Sequence, residues 1–459
     1  SHFWVVFPPP CGALGGVEMP ACSGYTEPVM PGDFNAYCME VFEIKGGKKL
    51  SGTITVAGLK NAATPILAAT LLTKETCVIS NIPRIEDVFR MTEILESMGV
   101  IVEWRDEHTV AITAKNVHAE TIDQEKVKRL RSSILLLGSL SARLDRFELR
   151  QPGGCVIGSR PVGAHIDALA EMGVSIEAHE KSLVIDSSLR KSSEVVLSEF
   201  SVTATENVMM LAASLPGTTE IKIAACEPHV EDLGRFLQKM GAKIEGLGTH
   251  TLRITGAPQL HGVEHEVIPD HNEAATFLIL GVATNCPITV VNARKEHLDI
   301  VLEKLREFGA DFVIRQNEIE VVPAQQLRAV SKIQTLPYPG VPSDIQSLFG
   351  VLATQSVGET LIFDTMYEGR FNYSVELEKM GATVKVLNPH QIVVTGPTPL
   401  RGTVIKSYDL RAGAALIIAA LAAEGTTIIE EIYQVDRGYE RIEERLQKIG
   451  ANIIRKELA

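Results

Sequence analysis

Met98-Gly99-Val100, Met172-Gly173-Val174, Met240-Gly241-Ala242, Phe308-Gly309-Ala310, Met380-Gly381-Ala382 and Ile449-Gly450-Ala451 decide how this chain is read. Each tripeptide closes an amphipathic segment, and successive glycines lie 74, 68, 68, 72 and 69 residues apart. Repetition at a near-constant interval is a stronger guide to fold than any single element. A glycine just past a helix takes positive φ without a Cβ clash, which suits it to the C′ position. A short strand should follow, as in Ile101-Val102-Glu103 or Val384-Lys385-Val386. A second often comes next, as in Gln391-Ile392-Val393-Val394.

Outward from these ends, the Ala-rich stretches 61–72, 207–215, 273–282, 344–354 and 411–423 read as helices entered from loops. Most meet a turn such as Glu424-Gly425-Thr426 and then a β-branched strand such as Thr427-Ile428-Ile429. The repeat is therefore helix, strand, helix, strand and strand, and it implies an α/β fold. Its length exceeds the common solenoid periods, so six copies divide more naturally into two globular domains of three.

Size and composition agree. A chain of 459 residues exceeds what one core usually serves, so two domains are expected. Apolar residues make up 45% and aromatic ones only 5%, which leaves the core to Val, Ile, Leu and Ala. The net charge of -13 argues against a broad nucleic-acid surface, though not against a local basic pocket for an anionic small substrate. No apolar run is long enough for membrane insertion. The seven cysteines are scattered, odd in number and without metal-site spacing, which points to reduced thiols in the cytoplasm. Residues 1–37, with Phe7-Pro8-Pro9-Pro10, read as a disordered or irregular extension without the basic start of a signal peptide.

Chemistry is concentrated at loops and helix entrances. Lys60 follows Gly58-Leu59 where a strand gives way to a helix, a place that favours an anion, and Asn61 beside it reads as the N-cap. Gln151 to Pro161 surrounds Cys155 and Arg160 with three glycines and two prolines, which suits a lid rather than a core. A thiol near cations can titrate near neutrality and serve as nucleophile or proton donor. Asp344, in Pro342-Ser343-Asp344-Ile345-Gln346, reads as a helix cap or a general base. Arg131 closes a basic stretch, and Arg370, Arg411 and Arg437 stand at helix entrances of the later repeats, where several cations can converge on one cleft.

Taken in order, these residues resemble the UDP-N-acetylglucosamine 1-carboxyvinyltransferase family of enolpyruvyl transferases. The likeness runs roughly over 42–456. It is carried by Leu59-Lys60-Asn61-Ala62-Ala63, Pro152-Gly153-Gly154-Cys155, Gly158-Ser159-Arg160-Pro161-Val162, Pro342-Ser343-Asp344-Ile345-Gln346, Asp409-Leu410-Arg411-Ala412 and Asp436-Arg437-Gly438-Tyr439-Glu440-Arg441-Ile442-Glu443. The Lys-Ser signature usual in 3-phosphoshikimate 1-carboxyvinyltransferase, the alternative enzyme, is missing, since Asn61 follows Lys60.

The resemblance implies a two-domain inside-out α/β barrel, the enolpyruvyl transferase fold, with three βαβαββ units in each domain. Residues 38–59 with 269–459 would form one domain, and 60–268 the other, carrying the Cys155 loop. The cleft between them would take phosphoenolpyruvate and UDP-N-acetylglucosamine. The implied reaction adds the sugar 3-hydroxyl to C2 of phosphoenolpyruvate and then eliminates phosphate. Cys155 would donate the proton to C3 and possess the option of a covalent adduct with the donor. Asp344 would act as base or orienter, and Lys60, Arg160 and Arg437, with Arg411 nearby, would neutralise the donor.

On the acceptor side the family places Asn61 near the sugar, Arg131 toward the diphosphate and Arg160-Pro161 around uracil, with Val162, Met366 and Arg370 as further contacts. No metal or organic cofactor is implied, nor a nucleic-acid partner, and the chain is expected to be monomeric or weakly self-associating. Gly163, Glu199, His229 and His271 depart from the family pattern: acidic at the first and third positions, basic at the second and fourth.

Overall fold

All six helix ends close as the glycines require. Gly99, Gly173, Gly241, Gly309, Gly381 and Gly450 have φ of 83°, 79°, 120°, 93°, 96° and 98°. Gly99 N–H bonds to the Glu96 carbonyl and Val100 N–H to that of Leu95, and the same pair of bonds recurs at the other five ends. This is the Schellman pairing. The computed structural model describes residues 39–153, 162–257 and 259–458, so the extension expected over 1–37 lies outside the described residues.

One unit shows the plan. Strand Lys332–Gln334 is followed by helix Gln346–Thr354, strand Gly358–Phe363, helix Asn372–Lys379, and strands Thr383–Asn388 and Gln391–Gly396. The short first strand pairs in parallel with Gly358–Phe363, so the first helix is a crossover connection. The last two strands add antiparallel pairs. Among the described residues, five sheets are four-stranded and one, with Arg146–Arg150 at its edge, is three-stranded, and none closes into a hydrogen-bonded barrel.

The helices differ in composition because their surroundings differ. His271–Ala283 is buried at every residue and Leu410–Ala422 at all but Ala422. A helix that is apolar all round suits enclosure on all sides. The strands, by contrast, alternate buried and exposed positions, as in Thr251–Thr255, so each sheet covers the helices with one face and meets solvent with the other.

Two edge strands are exchanged along the chain. Gly52–Thr55 pairs with Ile288–Val291, whereas Glu264–Glu266 pairs with Thr76–Ser80. The chain therefore crosses twice, and Leu59 N–H donates to the Ile268 carbonyl at 2.8 Å where the crossings touch. A Cβ on Gly58 would fall 1.7 Å from the Asn81 carbonyl oxygen, so no side chain fits there. Glu273 braces the junction by accepting from Ala57 N–H at 2.7 Å and from Arg445 at 2.9 Å. Buried apolar side chains form two clusters, one within 59–268 and the other within 42–56 and 274–453.

Candidate active site

The crossings deliver two helix starts, Lys60-Asn61 and His271-Asn272, to the wall of a cleft of about 440 Å³. Asn61 is not the cap expected of it. Leu59 occupies that position with extended backbone, tied to Ile268, so the helix begins at Lys60 and Asn61 is its second residue. The Asn61 side chain is thereby left for the cleft that it lines.

Asp87 joins two of the expected cations. Lys60 Nζ lies 2.6 Å from Oδ2, and Arg437 Nε lies 3.1 Å from Oδ1. Asp87 starts the helix Glu86–Ser97 and is 3% exposed. Burial alone would raise its pKa, but Lys60 and Arg437 overcome that and hold it below the ordinary carboxylate range. Sequence reasoning missed Asp87, whose sole signal was its place in the acidic first turn Glu86-Asp87.

Asp344 forms a second node. Arg370 Nη1 donates to Oδ1 at 2.8 Å and Arg411 Nε to Oδ2 at 3.3 Å. Asp344 sits in the 3-10 turn Ser343–Ile345, and no side-chain cap bond is made to the helix Gln346–Thr354. Its carboxylate serves the arginines instead. Burial opposes ionisation there, and Arg370 followed by Arg411 reverses the effect strongly.

Arg437 stands at the end of the short helix Tyr433–Asp436, not at a helix entrance as expected, because the next helix starts only at Ile442. The surrounding motif divides its tasks. Asp436 and Glu443 accept from Arg455, each with a closest distance of 2.7 Å. Tyr439 lies under the Arg411 guanidinium, 5.5 Å from ring centre, while its hydroxyl meets Thr276 Oγ1 at 2.8 Å. Glu440 accepts from Arg84 N–H at 2.9 Å, linking chain segments from the two buried clusters.

Much of the remaining wall is uncharged or acidic. His229 and His271 stack with ring centres 6.4 Å apart, and His297 meets His271 edge-on at 5.9 Å. Burial pushes His229 down to about 4 and His271 well below its ordinary value. Glu206 is 1% exposed, and burial reinforced by Glu227 pushes its pKa well up. Glu199 and Phe200 line the same cleft.

Arg131 and Met366 also line the cleft, and Arg131 Nη1 donates to the Pro152 carbonyl at 3.4 Å. Val162 instead packs against the cluster within 59–268. Cys155, Arg160 and Pro161 lie outside the described residues. Elsewhere, ligand atoms of Glu107, His108 and Glu440 fall within 4.8 Å of one another. Both carboxylates are already engaged there, Glu107 by Arg441 and Glu440 by Arg84.

Comparison with known proteins gives a consistent result. Residues 44–446 match the family model for EPSP synthase (3-phosphoshikimate 1-carboxyvinyltransferase). A UDP-N-acetylglucosamine 1-carboxyvinyltransferase of Methylacidiphilum infernorum is 43% identical, covering 91% of this chain and 99% of that protein. One from Finegoldia magna is 40% identical, covering 92% and 100%. Among solved structures, the enolpyruvyl transferase NikO from Streptomyces tendae superposes with a TM-score of 0.82 at 25% identity, covering 92% of this chain and 100% of that one. An EPSP synthase from Acinetobacter baumannii, at 20% identity and a TM-score of 0.69 over 91% of this chain and all of its own, shares the fold.

Proposed function

The chain belongs to the enolpyruvyl transferases, alongside the UDP-N-acetylglucosamine 1-carboxyvinyltransferases, and from that premise we infer that it moves the enolpyruvyl group of phosphoenolpyruvate to the 3-hydroxyl of UDP-N-acetylglucosamine. Phosphate is released, and the product commits the sugar nucleotide to peptidoglycan. The observation that carries this reading is the 43% identity across nearly the whole chain, joined to a cleft lined by Lys60, Arg370, Arg411 and Arg437.

The donor carries a phosphate and a carboxylate. Lys60 and Arg437, paired on Asp87, are suited to exchange that carboxylate for the donor's anions. Buried Nε of Arg370 and Nη1 of Arg411 have no hydrogen-bond partner among the described residues, which supports a further anionic contact. Asp344 orients the acceptor hydroxyl. As C2 gains its new C–O bond, the hydroxyl proton passes to Asp344 and Cys155 delivers a proton to C3; loss of a C3 proton with phosphate restores the double bond. Preorganised cations stabilise charge on the departing phosphate, and Arg160 acts with them.

Asn61, Arg131, Pro161, Val162 and Met366 serve the acceptor. The two buried clusters support division into 38–59 with 269–459 and 60–268. We place the activity in the cytoplasm, in a monomeric or weakly associating chain. No described helix is long and apolar enough to cross a membrane.

A coupled phosphate-release assay tests this directly, with UDP-N-acetylglucosamine and shikimate 3-phosphate offered in parallel. Release is expected with the UDP-sugar. Release with shikimate 3-phosphate alone would replace this reading by the other member of the fold.

A further inference from the structure

Asp364 is a fully buried carboxylate that the transfer chemistry leaves unused. It follows directly on the strand Gly358–Phe363, and its backbone is pinned from the side of the next hairpin. Asp364 N–H donates to the His390 carbonyl at 2.9 Å, and His390 Nδ1 donates to the Asp364 carbonyl at 2.8 Å.

From that fixed point the carboxylate reaches two separate segments of the cleft wall. Oδ1 accepts from Met366 N–H at 2.9 Å, from Tyr367 N–H at 3.2 Å and from Thr335 Oγ1 at 3.1 Å. Oδ2 accepts from Ser343 Oγ at 2.5 Å. Thr335 is held in turn by Thr365, whose N–H donates to Oγ1 at 3.0 Å and whose hydroxyl donates to the Thr335 carbonyl at 2.5 Å. A buried carboxylate is costly unless hydrogen-bonded, and four neutral donors serve this one.

The two segments carry the acceptor-side pair. Ser343 immediately precedes Asp344, and Tyr367 lies under the Arg370 guanidinium, 4.8 Å from ring centre. Arg370 Nη1 returns to Asp344 Oδ1 at 2.8 Å, and the Arg370 carbonyl accepts from Gln346 Nε2 at 3.0 Å. The contacts thus close a ring that runs from Asp364 through Ser343-Asp344, Arg370 and Tyr367 back to Asp364. Ser343, Asp344, Met366, Tyr367 and Arg370 line the cleft, whereas Asp364 stands behind them, 0% exposed. Members of a connected polar network hold one another in place, so a change at Asp364 is felt at both Asp344 and Arg370.

We propose that Asp364 is a positioning residue for the transfer: it fixes Asp344 and Arg370 against each other and so sets the direction in which the acceptor hydroxyl is presented. The inference rests on the role given to Asp344 above. It requires the geometry that Asp364 imposes and not its charge. An asparagine there keeps an acceptor oxygen for the backbone N–H groups and turns an amide donor toward Ser343 Oγ.

Asp364→Ala and Asp364→Asn test this, each checked by thermal melting. Asp364→Ala should lower kcat by about tenfold or more, since a small misplacement of a reacting group is costly. KM for phosphoenolpyruvate should stay within about twofold, because Lys60 and Arg437 are set by Asp87 instead. Asp364→Asn should keep turnover within about threefold of wild type. Near-normal kcat in Asp364→Ala, a rise in KM for phosphoenolpyruvate that matches the loss of kcat, or no recovery in Asp364→Asn overturns the proposal.

Crystal structures of the variants need no turnover. The Asp344–Arg370 pair should part beyond hydrogen-bond reach in Asp364→Ala and remain closed in Asp364→Asn. An intact pair in Asp364→Ala counts against the ring. If Asp364→Ala does not fold, Ser343→Ala, which cuts the Oδ2 arm alone, replaces it in the structural test and is read in the same way. Wild-type protein that releases no phosphate with the UDP-sugar would instead defeat the functional reading, while the crystal structures would still decide whether Asp364 sets the pair.

Discussion

Arg370 Nη1 and Asp344 Oδ1 lie 2.8 Å apart, and this contact makes the acceptor-side carboxylate a poor base while it lasts. With Arg411 on the other oxygen, Asp344 holds its charge far below the pH at which a free carboxylate takes a proton. Removing Arg370 should raise the Asp344 pKa and move the acidic limb of the kcat/KM profile to higher pH. A pH–rate profile of Arg370→Ala measures this; an unmoved limb would separate Asp344 from the proton step.

Asp87→Asn leaves Lys60 and Arg437 without the carboxylate they share. Loss of one partner from a buried ion-paired set costs about 3–5 kcal/mol, so denaturant unfolding should show a loss of that order. Inorganic phosphate should then raise the Tm of the variant more than that of wild type, because it can replace the missing charge. Equal shifts in both proteins would mean that phosphate does not reach these cations.

Glu206 supplies a stability test with the opposite slope to most carboxylates. Its folded pKa is raised, so the folded state keeps a proton that the unfolded chain gives up above the ordinary glutamate value. Stability is therefore fully present at low pH and declines as pH rises toward the folded pKa. Glu206→Gln should be more stable than wild type at pH 8 and similar near pH 4, as urea titrations at both values would reveal.

The histidine stack should act in the acid direction. His229 is pushed down to about 4 and His271 further, so the unfolded chain binds protons that the folded chain refuses. Their contribution is complete above about 6.5 and is lost as pH falls from there toward about 4. His229→Asn combined with His271→Asn should make acid unfolding shallower over that window. An unchanged slope would assign acid sensitivity to other groups.

Cys155→Ser should lose most turnover while keeping the wild-type melting temperature, because a hydroxyl is a far weaker acid than a thiol. Phosphate release and calorimetry on the same sample settle the point. Near-normal turnover removes Cys155 from proton donation.

The features read correctly from sequence were those whose cause is local. Gly99 and its five counterparts need only their own turn to demand positive φ, and they exposed the repeat. Strands such as Lys332–Gln334 and Val404–Lys406 did not enter the residue-based unit, because three residues carry no readable alternation. Asp344, Arg411 and Arg437 were found as motif members. Asp87 was not, since its partner Arg437 lies 350 positions away and nothing near Asp87 announces the pairing. Asn61 was misplaced for a related reason: Leu59 is held by Ile268, a contact invisible from either segment alone.

The pairing of Met39–Lys45 with Asn452–Leu458 has a consequence for synthesis on the ribosome. The strand that opens the described chain cannot complete its sheet until the last strand emerges, whereas the partners of Thr76–Ser80 are all made by residue 266. At about 5–20 residues per second, the first strand waits on the order of tens of seconds while the middle segment can already close. During translation, the middle of the polypeptide should become protease-resistant first and the outer portion last.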